Sequence, residues 1–303
     1  MVAEVDGLST HGVPEGGVKN TVRTGTYRDR KVFIKYSGAE NLEDVKRDFE
    51  ACSVLEEEVR VPEPIRIVEK DKEVVAIFER LDISYPDREN WQDKDFCRET
   101  VEKGIETLEK LQKSKKIRVK AQDSDILSKD PGIIENMEEE VDYIKTGLDK
   151  DTVELCHEVL YALENKDVDR KFSHNDFGPH NFIFEGSELK GLFDWEYAGF
   201  YDPMKDWGKF ESTVIDEFVT FFHPEKADEF RELLYENIER EADHDRAQMY
   251  RFIQTVVAYY YITNGECSES WKAAGTVEEI RELKARQLDE RKKEVEEILG
   301  DRF

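Results

Sequence analysis

The sequence predicts an α+β fold in which a sheet-forming N-terminal part is followed by a mainly helical remainder. β-type segments separated by turns occupy residues 14–38 and 65–78. From Tyr85 onward, apolar residues instead recur three and four positions apart for most of the chain, which is the spacing of amphipathic helices. The change lies near Arg80, and 303 residues are enough for one large domain or for two lobes.

Within residues 14–38, the second of two β-type runs ends in Lys35. The alternation of side chains along a strand can point this lysine inward. In residues 31–35, Val32 and Ile34 lie on one face of the predicted strand, and Phe33 and Lys35 lie on the other. An exposed lysine at a strand end is the ordinary alternative for this position.

A helix is predicted from Asn41 to Glu58. At 100° per residue, Asp48 falls beside the apolar face of this helix and Glu50 falls on its far side. The apolar face follows a spacing of four, three and three residues through Val45, Phe49, Cys52 and Leu55. Asp48 is therefore the better placed of the two acidic residues to face the sheet.

Further along, two amphipathic helical stretches flank a polar segment. Apolar residues at helical spacing run through 96–111 and again within 133–163. Between them, residues 113–132 are polar and rich in turn residues. This pattern predicts a mobile insertion near the mouth of a substrate site.

The stretch from Lys171 to Asp206 concentrates the polar residues that carry chemistry. Asp176 is followed five positions later by Asn181, and Asp194 comes after a further apolar segment. Residues 181–193 predict a hairpin that returns Asn181 to the side of Asp194. Phosphoryl transfer from ATP needs such groups: a carboxylate to accept a hydroxyl proton, and an amide oxygen and a second carboxylate to hold Mg²⁺. A lone His-x-Asp is usually only a turn, and His174 is predicted to shape the loop.

This stretch resembles the catalytic core of the aminoglycoside phosphotransferase and choline kinase superfamily. The resemblance rests on His174-Asn175-Asp176, Asn181, the run from Asp194 to Gly199, Tyr201-Asp202-Pro203 and Asp206. It implies a bilobal protein-kinase-like fold, in which residues 1–80 form a nucleotide-binding lobe and residues 81–303 form a helical lobe with the catalytic loop and substrate site. ATP and Mg²⁺ are the implied cofactors. Asn175 replaces the arginine of protein kinases and no Ala-Pro-Glu follows, which disfavours a protein substrate.

The resemblance also implies roles for residues near the N-terminus. Gly16, Gly17 and Asn20 are similar to the short nucleotide loop of the superfamily, where backbone N–H groups approach phosphate. A tight surface turn explains two glycines equally well, and the position relative to Lys35 favours the nucleotide loop. Lys35 itself matches the strand lysine that contacts the α- and β-phosphates.

Two further nucleotide-site expectations follow from the same resemblance. The partner of Lys35 is usually a glutamate on the first helix, so Asp48 is the candidate here and Glu50 the second choice. Residues 79–81 fall where a kinase hinge would lie, so the backbone at Glu79 and Leu81 is expected to be available to an adenine edge.

The expected acceptor is a small cationic molecule. Asp194-x-Glu196-Tyr197 is closer to the choline and ethanolamine kinase variant than to a generic aminoglycoside kinase, and the resemblance implies that Tyr197 contributes to an aromatic pocket for an ammonium group. Glu196 and Asp202 would add negative potential. The same mouth would suit a choline-like or ethanolamine-like amino alcohol or an aminoglycoside, and a neutral sugar stays open.

The composition indicates which binding partners and which cellular compartment to expect. The formal charge of −26 repels nucleic acid and anionic membranes and attracts cations, and it has two explanations, a salt-rich cytoplasm or an ordinary acidic protein. The four cysteines form no metal-binding cluster, which favours a reducing compartment. The longest apolar stretch, 256–262, is far short of a membrane span, so a cytoplasmic protein is predicted.

A protein of another class is the main alternative to a kinase. A catalytically silent nucleotide-binding regulator on the same fold would be expected to lack one of its key polar residues, yet all of them are present: Lys35, Asp176, Asn181 and Asp194. A hydrolase is excluded by the absence of Gly-x-Ser-x-Gly and His-Glu-x-x-His. The oligomeric state is not predicted.

Overall fold

Five antiparallel strands form the N-terminal sheet of the computed structural model, which describes residues 5–12, 21–38, 41–81, 85–130, 132–265 and 275–300. The strands lie in the order β1-β2-β3-β5-β4. Their bounds are β1 Leu8–Gly12, β2 Thr21–Tyr27, β3 Arg30–Ser37, β4 Pro64–Lys70 and β5 Glu73–Glu79.

Two tight turns set the register of this sheet. Arg28 and Asp29 connect β2 to β3 with φ of 49° and 66°, and Asp71 and Lys72 connect β4 to β5 with φ of 50° and 69°. Two consecutive residues with positive φ are typical of the type I′ turn, whose twist matches that of the paired strands. The turn in the Arg-Asp-Arg sequence at residues 28–30 therefore sets the pairing of β2 with β3, in which Lys35 lies opposite Val22.

The predicted helix after β3 is α1, Leu42–Leu55. Its apolar face packs on the sheet, with Val45, Cys52 and Leu55 fully buried and Phe49 lying 5.7 Å from the ring of Phe78. Fully burying each such side chain is worth about 1.5–3 kcal/mol. This packing holds the inward side of α1 against β3 and β5.

Helices form most of the remaining chain. They are α2 Arg88–Gln92, α3 Lys94–Lys113, α4 Lys115–Gln122, α5 Ile133–Ile144, α6 Lys150–Glu164, α7 Met204–Phe210, α8 Thr220–Phe222, α9 Ala227–Tyr235, α10 Glu241–Thr263 and α11 Val277–Gly300. A π-helical stretch, Glu211–Val219, continues α7. The predicted α+β class, with a small antiparallel sheet and a larger helical part, is confirmed.

The polar segment between the two helical stretches differs from the prediction of a mobile insertion. Much of it is the regular helix α4, which begins where the Ser114 hydroxyl accepts a hydrogen bond from the backbone of Ile117. Ile117 and Ala121, four residues apart, are fully buried in the core. A two-residue apolar face and an N-cap were enough to order a segment whose composition suggested a loop.

Two small two-stranded sheets lie within the stretch from Lys171 to Asp206. β6 (Lys171–Ser173) pairs with β9 (Gly199–Tyr201), and β7 (Phe182–Glu185) pairs with β8 (Glu188–Leu192).

The β7–β8 hairpin is joined to the connection between α1 and β4. The backbone N–H of Leu192 donates to the carbonyl of Arg60 at 2.9 Å, and Gly191 forms an isolated bridge with Arg60. This contact couples the sheet-bearing part of the chain to the hairpin that ends at Asp194.

None of the helices within the described residues is both long enough and apolar enough to cross a membrane.

Candidate active site

A short loop after β6 carries the catalytic candidates and is fixed from several sides. Asn175 has φ 65°, a left-handed conformation that asparagine tolerates better than most residues. Its side chain donates to the carbonyl of Tyr197 at 2.9 Å, and Lys205 donates to its backbone carbonyl. The carboxylate of Asp206 accepts from the backbone of His174 at 2.8 Å. The neighbouring turn and α7 therefore hold the loop together.

His174 shapes this loop, in agreement with the role predicted for it. Its Nε2 lies 3.0 Å from the carbonyl of Phe193, and its Nδ1 accepts from the backbone N–H of Asp176 at 3.3 Å. Burial lowers the pKa of the imidazole to about 4. A neutral ring protonated on Nε2 satisfies both contacts, so His174 stays uncharged near neutral pH.

Asp176 stands at the centre of a set of hydrogen-bond donors. Lys209 donates to its Oδ1, while Oδ2 accepts from Asn181 Nδ2 at 2.8 Å and lies 3.1 Å from His180 Nε2. Burial acts to raise the pKa of the carboxyl, but the Lys209 ammonium and the His180 imidazole outweigh it and hold that pKa well below its usual range. Asp176 is therefore ionised, and its side chain is 24% exposed, so a small hydroxyl can reach it.

Asn181 and Asp194 are brought together by the β7–β8 hairpin. The backbone N–H of Phe193 donates to the carbonyl of Asn181 at 3.0 Å, and Asp194 follows with φ 64°. The amide nitrogen of Asn181 donates to Asp176, so the Oδ1 of Asn181 points toward other partners. The Asp194 side chain is 36% exposed.

This pair fits the donor set for a phosphate-bound magnesium ion. Mg²⁺ commonly uses one or two carboxylates and takes its other ligands from phosphates and water. The described residues contain no cluster of three or more His, Cys, Asp or Glu side chains that could hold a metal unaided. Asn181 and Asp194 would therefore hold the ion jointly with the nucleotide.

Lys35 is buried and shared between two carboxylates. Its Nζ lies 2.5 Å from Asp48 Oδ2 and 2.5 Å from Asp194 Oδ1. Burial acts to lower the pKa of the lysine, but the two carboxylates outweigh it and raise that pKa. The partner on α1 is Asp48 rather than Glu50, and Asp48 Oδ1 also accepts from the backbone of Trp195 at 2.9 Å. The shorter aspartate therefore reaches the lysine and also positions the residue after Asp194.

The predicted hinge follows β5, and one of its backbone donors is already used. The backbone N–H of Glu79 donates to the carbonyl of Glu63 at 2.9 Å, and its side chain pairs with Arg60 at 3.0 Å. The Glu79 N–H is therefore already used beside β4, since β5 is an inner strand, and the expectation that the backbone at Glu79 and Leu81 is available to an adenine edge stays a prediction. Leu81 lies beyond the strand end and is partly buried. The residues proposed for the phosphate loop lie outside the described residues: Gly16, Gly17 and Asn20.

The acceptor-side prediction for Asp202 needs correction. Asp202 is 3% exposed, and Arg246 Nε donates to its Oδ2 at 2.8 Å while a second guanidinium nitrogen lies 3.3 Å from its Oδ1. Its Oδ1 also accepts from the backbone of Met204 at the start of α7. This carboxylate is neutralised and structural, so it does not add negative potential to the acceptor site.

Glu196 and Tyr197 form the turn that follows Trp195. Both side chains are partly buried, and the Tyr197 ring packs against the core, while its carbonyl accepts from Asn175. The turn therefore touches the catalytic loop directly. Whether the two side chains contact an acceptor stays a prediction.

Two residues at the site were missed by the sequence reasoning. His180 lies four residues beyond Asp176, and Lys209 lies 33 residues beyond it in the chain. Helical spacing was the signal available for Lys209, since Lys205 and Lys209 are one turn apart and share a face of α7. Nothing in the sequence showed that this face meets the catalytic loop.

The comparisons with known proteins agree with this geometry. The model of the phosphotransferase enzyme family, APH, matches residues 12–249. A search of curated proteins found no matching sequence.

Solved structures share the fold at low sequence identity. The GDP complex of aminoglycoside 2'-phosphotransferase-IIIa has a TM-score of 0.59 and 11% identity, over 92% of this chain and 93% of that one. A thermostable mutant of aminoglycoside phosphotransferase APH(4)-Ia with ADP and hygromycin B has a TM-score of 0.56 and 13% identity, over 95% and 94%. Plasmodium vivax ethanolamine kinase has a TM-score of 0.53 and 14% identity, over 96% and 84%. The family model covers most of the chain, so this protein belongs to the phosphotransferase enzyme family and is a kinase-like enzyme that acts on hydroxyl groups.

Proposed function

We propose that the protein transfers the γ-phosphoryl group of ATP to a hydroxyl of a small cationic acceptor, either an amino alcohol of the choline or ethanolamine type or an aminoglycoside. The observation that carries the proposal is the contact of Asp176 with Asn181 beside the Lys35–Asp194 pair. These are the base, the metal ligands and the phosphate-binding cation of phosphoryl transfer, and they converge from three different elements.

Asp176 orients the acceptor. Its carboxylate hydrogen-bonds the hydroxyl, takes the proton as the oxygen bonds to the γ-phosphorus, and the bond from that phosphorus to the bridging oxygen of ADP breaks. The depressed pKa of Asp176 suits a loose transition state, in which the proton moves late and the main contribution is positioning. Lys35, held by Asp48, binds the α- and β-phosphates.

Asn181 and Asp194 would hold Mg²⁺, which when bound supplies a Lewis acid that neutralises phosphate charge. Asp194 also contacts Lys35, so the metal position and the lysine position are set together. The backbone of Glu79 and Leu81, at and just beyond the end of β5, would face the base of the nucleotide.

The preference for a cation is supported by charge and by similar structures. The net charge of −26 attracts cations and repels anionic acceptors at long range. The structures similar to this one include an ethanolamine kinase and an aminoglycoside phosphotransferase bound to hygromycin B. Glu196, next to Tyr197 in the turn that touches the catalytic loop, is the proposed local carboxylate, and Tyr197 is the proposed aromatic contact.

The test is acceptor-dependent ADP release with Mg-ATP, using choline, ethanolamine, an aminoglycoside and a simple sugar at low and high KCl. We expect one of the cationic acceptors to give a signal. Asp176→Asn should lower kcat by about 10²–10⁴-fold with little change in ATP affinity, because a carboxylate that positions the hydroxyl and accepts its proton contributes a factor of that size.

Asp228→Asn is the matched control, since that carboxylate is 92% exposed on α9 and should leave turnover unchanged. A signal with the sugar alone would refute the cationic acceptor and keep the kinase. Tight ATP binding without turnover on any acceptor would favour a nucleotide-binding regulator.

A further inference from the structure

The helix α7 is tightly fixed beside the catalytic loop. Asp206 on this helix accepts from the backbone of His174 at 2.8 Å. On its other side, α7 packs so closely on α10 that a Cβ at Gly208 would lie 2.3 Å from the carbonyl oxygen of Ala247. Lys209, the next residue, therefore extends from an element with little freedom to shift, as a functional side chain requires.

The ammonium of Lys209 contacts the carboxylate that would receive the acceptor. It donates to Asp176 Oδ1, while Asn181 and His180 occupy the Oδ2 side. The Lys209 side chain is 14% exposed and that of Asp176 is 24% exposed, so solvent reaches both side chains in part. A lysine ammonium has three N–H donors, and the contact with Asp176 uses one of them. Lys209 can therefore keep this contact and donate to a second acceptor.

Lys35 and Lys209 differ in how far their charge is already balanced. Lys35 lies 2.5 Å from each of two carboxylates, Asp48 and Asp194. Lys209, in the part of the chain that the structure describes, has an ion pair with Asp176 and with no second carboxylate. The negative charge of the transferring group spreads over three equatorial oxygens, and the N–H donors of Lys209 that Asp176 does not use can meet it.

We propose that Lys209 is a further catalytic residue, which contacts the γ-phosphate of bound ATP and stays on the phosphoryl group as it passes to the acceptor; this rests on the proposed function. The acceptor oxygen must come within about 2.6–3.2 Å of Asp176 for proton transfer. An ammonium on the same carboxylate then lies beside the point where that oxygen meets phosphorus. Lys209 forms no covalent bond and gives up no proton.

Proximity to Asp176 also keeps Lys209 charged. Burial acts to lower the pKa of the lysine, but Asp176 outweighs it and, with smaller contributions from Glu140 and Asp206, raises that pKa. The competing explanation is that Lys209 only holds Asp176 in place. A structural role of that kind would not distinguish nucleotides with and without a γ-phosphate.

The experiment is titration calorimetry with Mg-AMP-PNP and Mg-ADP, which needs neither an acceptor nor turnover. Lys209→Met should weaken AMP-PNP binding about tenfold or more and change ADP binding less than about twofold, since a hydrogen bond to a charged group is worth that factor. Lys209→Gln keeps a donor to Asp176 without the charge and should show the same selective loss. Lys209→Arg should recover part of the preference for AMP-PNP.

Lys284→Met is the matched control, because Lys284 is also buried and paired with a carboxylate, Glu217 at 2.8 Å, but lies on α11 away from the catalytic loop. It should lower Tm and leave the ratio of the two affinities unchanged. Equal losses for both nucleotides in the Lys209 variants, or no loss, would overturn the inference and leave the proposed kinase standing. A wild-type protein that binds neither nucleotide would instead overturn the proposed function and this inference with it.

Discussion

Gly191 sits where the β7–β8 hairpin meets the connection between α1 and β4, and the structure leaves no room there for a side chain. A Cβ on this residue would lie 1.9 Å from the carbonyl oxygen of Arg60 and 2.6 Å from its Cβ. Real Cβ atoms essentially never approach backbone this closely, so Gly191→Ala must separate the two segments. The hydrogen bond from Leu192 to Arg60, now 2.9 Å, would then be lost.

The expected size of this effect follows from two contributions. Overpacking by one methyl group costs about 1–3 kcal/mol, and a lost backbone hydrogen bond adds about 1 kcal/mol. Gly191→Ala should therefore lower the free energy of unfolding by about 2–4 kcal/mol, which for a chain of 303 residues is a fall in Tm of roughly 3–6 °C. Because Asp194 follows the same hairpin, we also expect weaker Mg-ATP binding.

Urea denaturation and titration calorimetry with Mg-ATP measure the two effects. Gly38→Ala is the control, since a Cβ at Gly38 would meet no atom within 4 Å. A Gly191→Ala protein as stable as this control, with unchanged Mg-ATP affinity, would refute the argument that this contact aligns the hairpin with the N-terminal sheet.

Two further predictions follow from the buried ionisable groups. The pKa of His174 is lowered to about 4 in the folded protein, so its neutral form contributes stability that is complete above the usual pKa of about 6.5 and is lost as pH falls toward 4. His174→Gln should therefore lose about 3 kcal/mol less stability than the wild type between pH 7 and pH 4, measured by urea denaturation at each pH; parallel curves would contradict this. Asp202→Asn should lower the free energy of unfolding by about 1–3 kcal/mol, because buried Arg246 loses one charged partner and keeps Asp243 at 2.8 Å. The KM of this variant for the acceptor, measured below its melting temperature, should be unchanged, and a raised KM with normal stability would restore Asp202 to the acceptor site.

Much of the architecture was predictable from local sequence. The alternation in residues 31–35 placed Lys35 inward, and the helical spacing of α1 placed Asp48 beside the apolar face, where it contacts Lys35. The pattern of residues 181–193 predicted the hairpin that brings Asn181 back to the side of Asp194. These predictions succeeded because side-chain periodicity and tight turns are set by residues that are neighbours in the chain.

The tertiary structure decided which charges are free and which are neutralised. Asp202 lies within the motif, yet Arg246, 44 residues later, takes its carboxylate. Lys209 was an ordinary helical lysine until the packing of α7 placed it on Asp176. The inner position of β5 likewise commits the Glu79 N–H to the carbonyl of Glu63.

The sequence by itself determined the α+β class and the polar residues of the phosphoryl-transfer motif, which follow from local pattern and spacing, and the resemblance of that motif to a known family indicated the family. The balance of charge around each of those residues depended on partners that are distant in the chain and meet only when the helices pack. Electrostatic interactions weaken with distance in space and not with separation in sequence, so the environment of Asp176 could be known only from the folded structure.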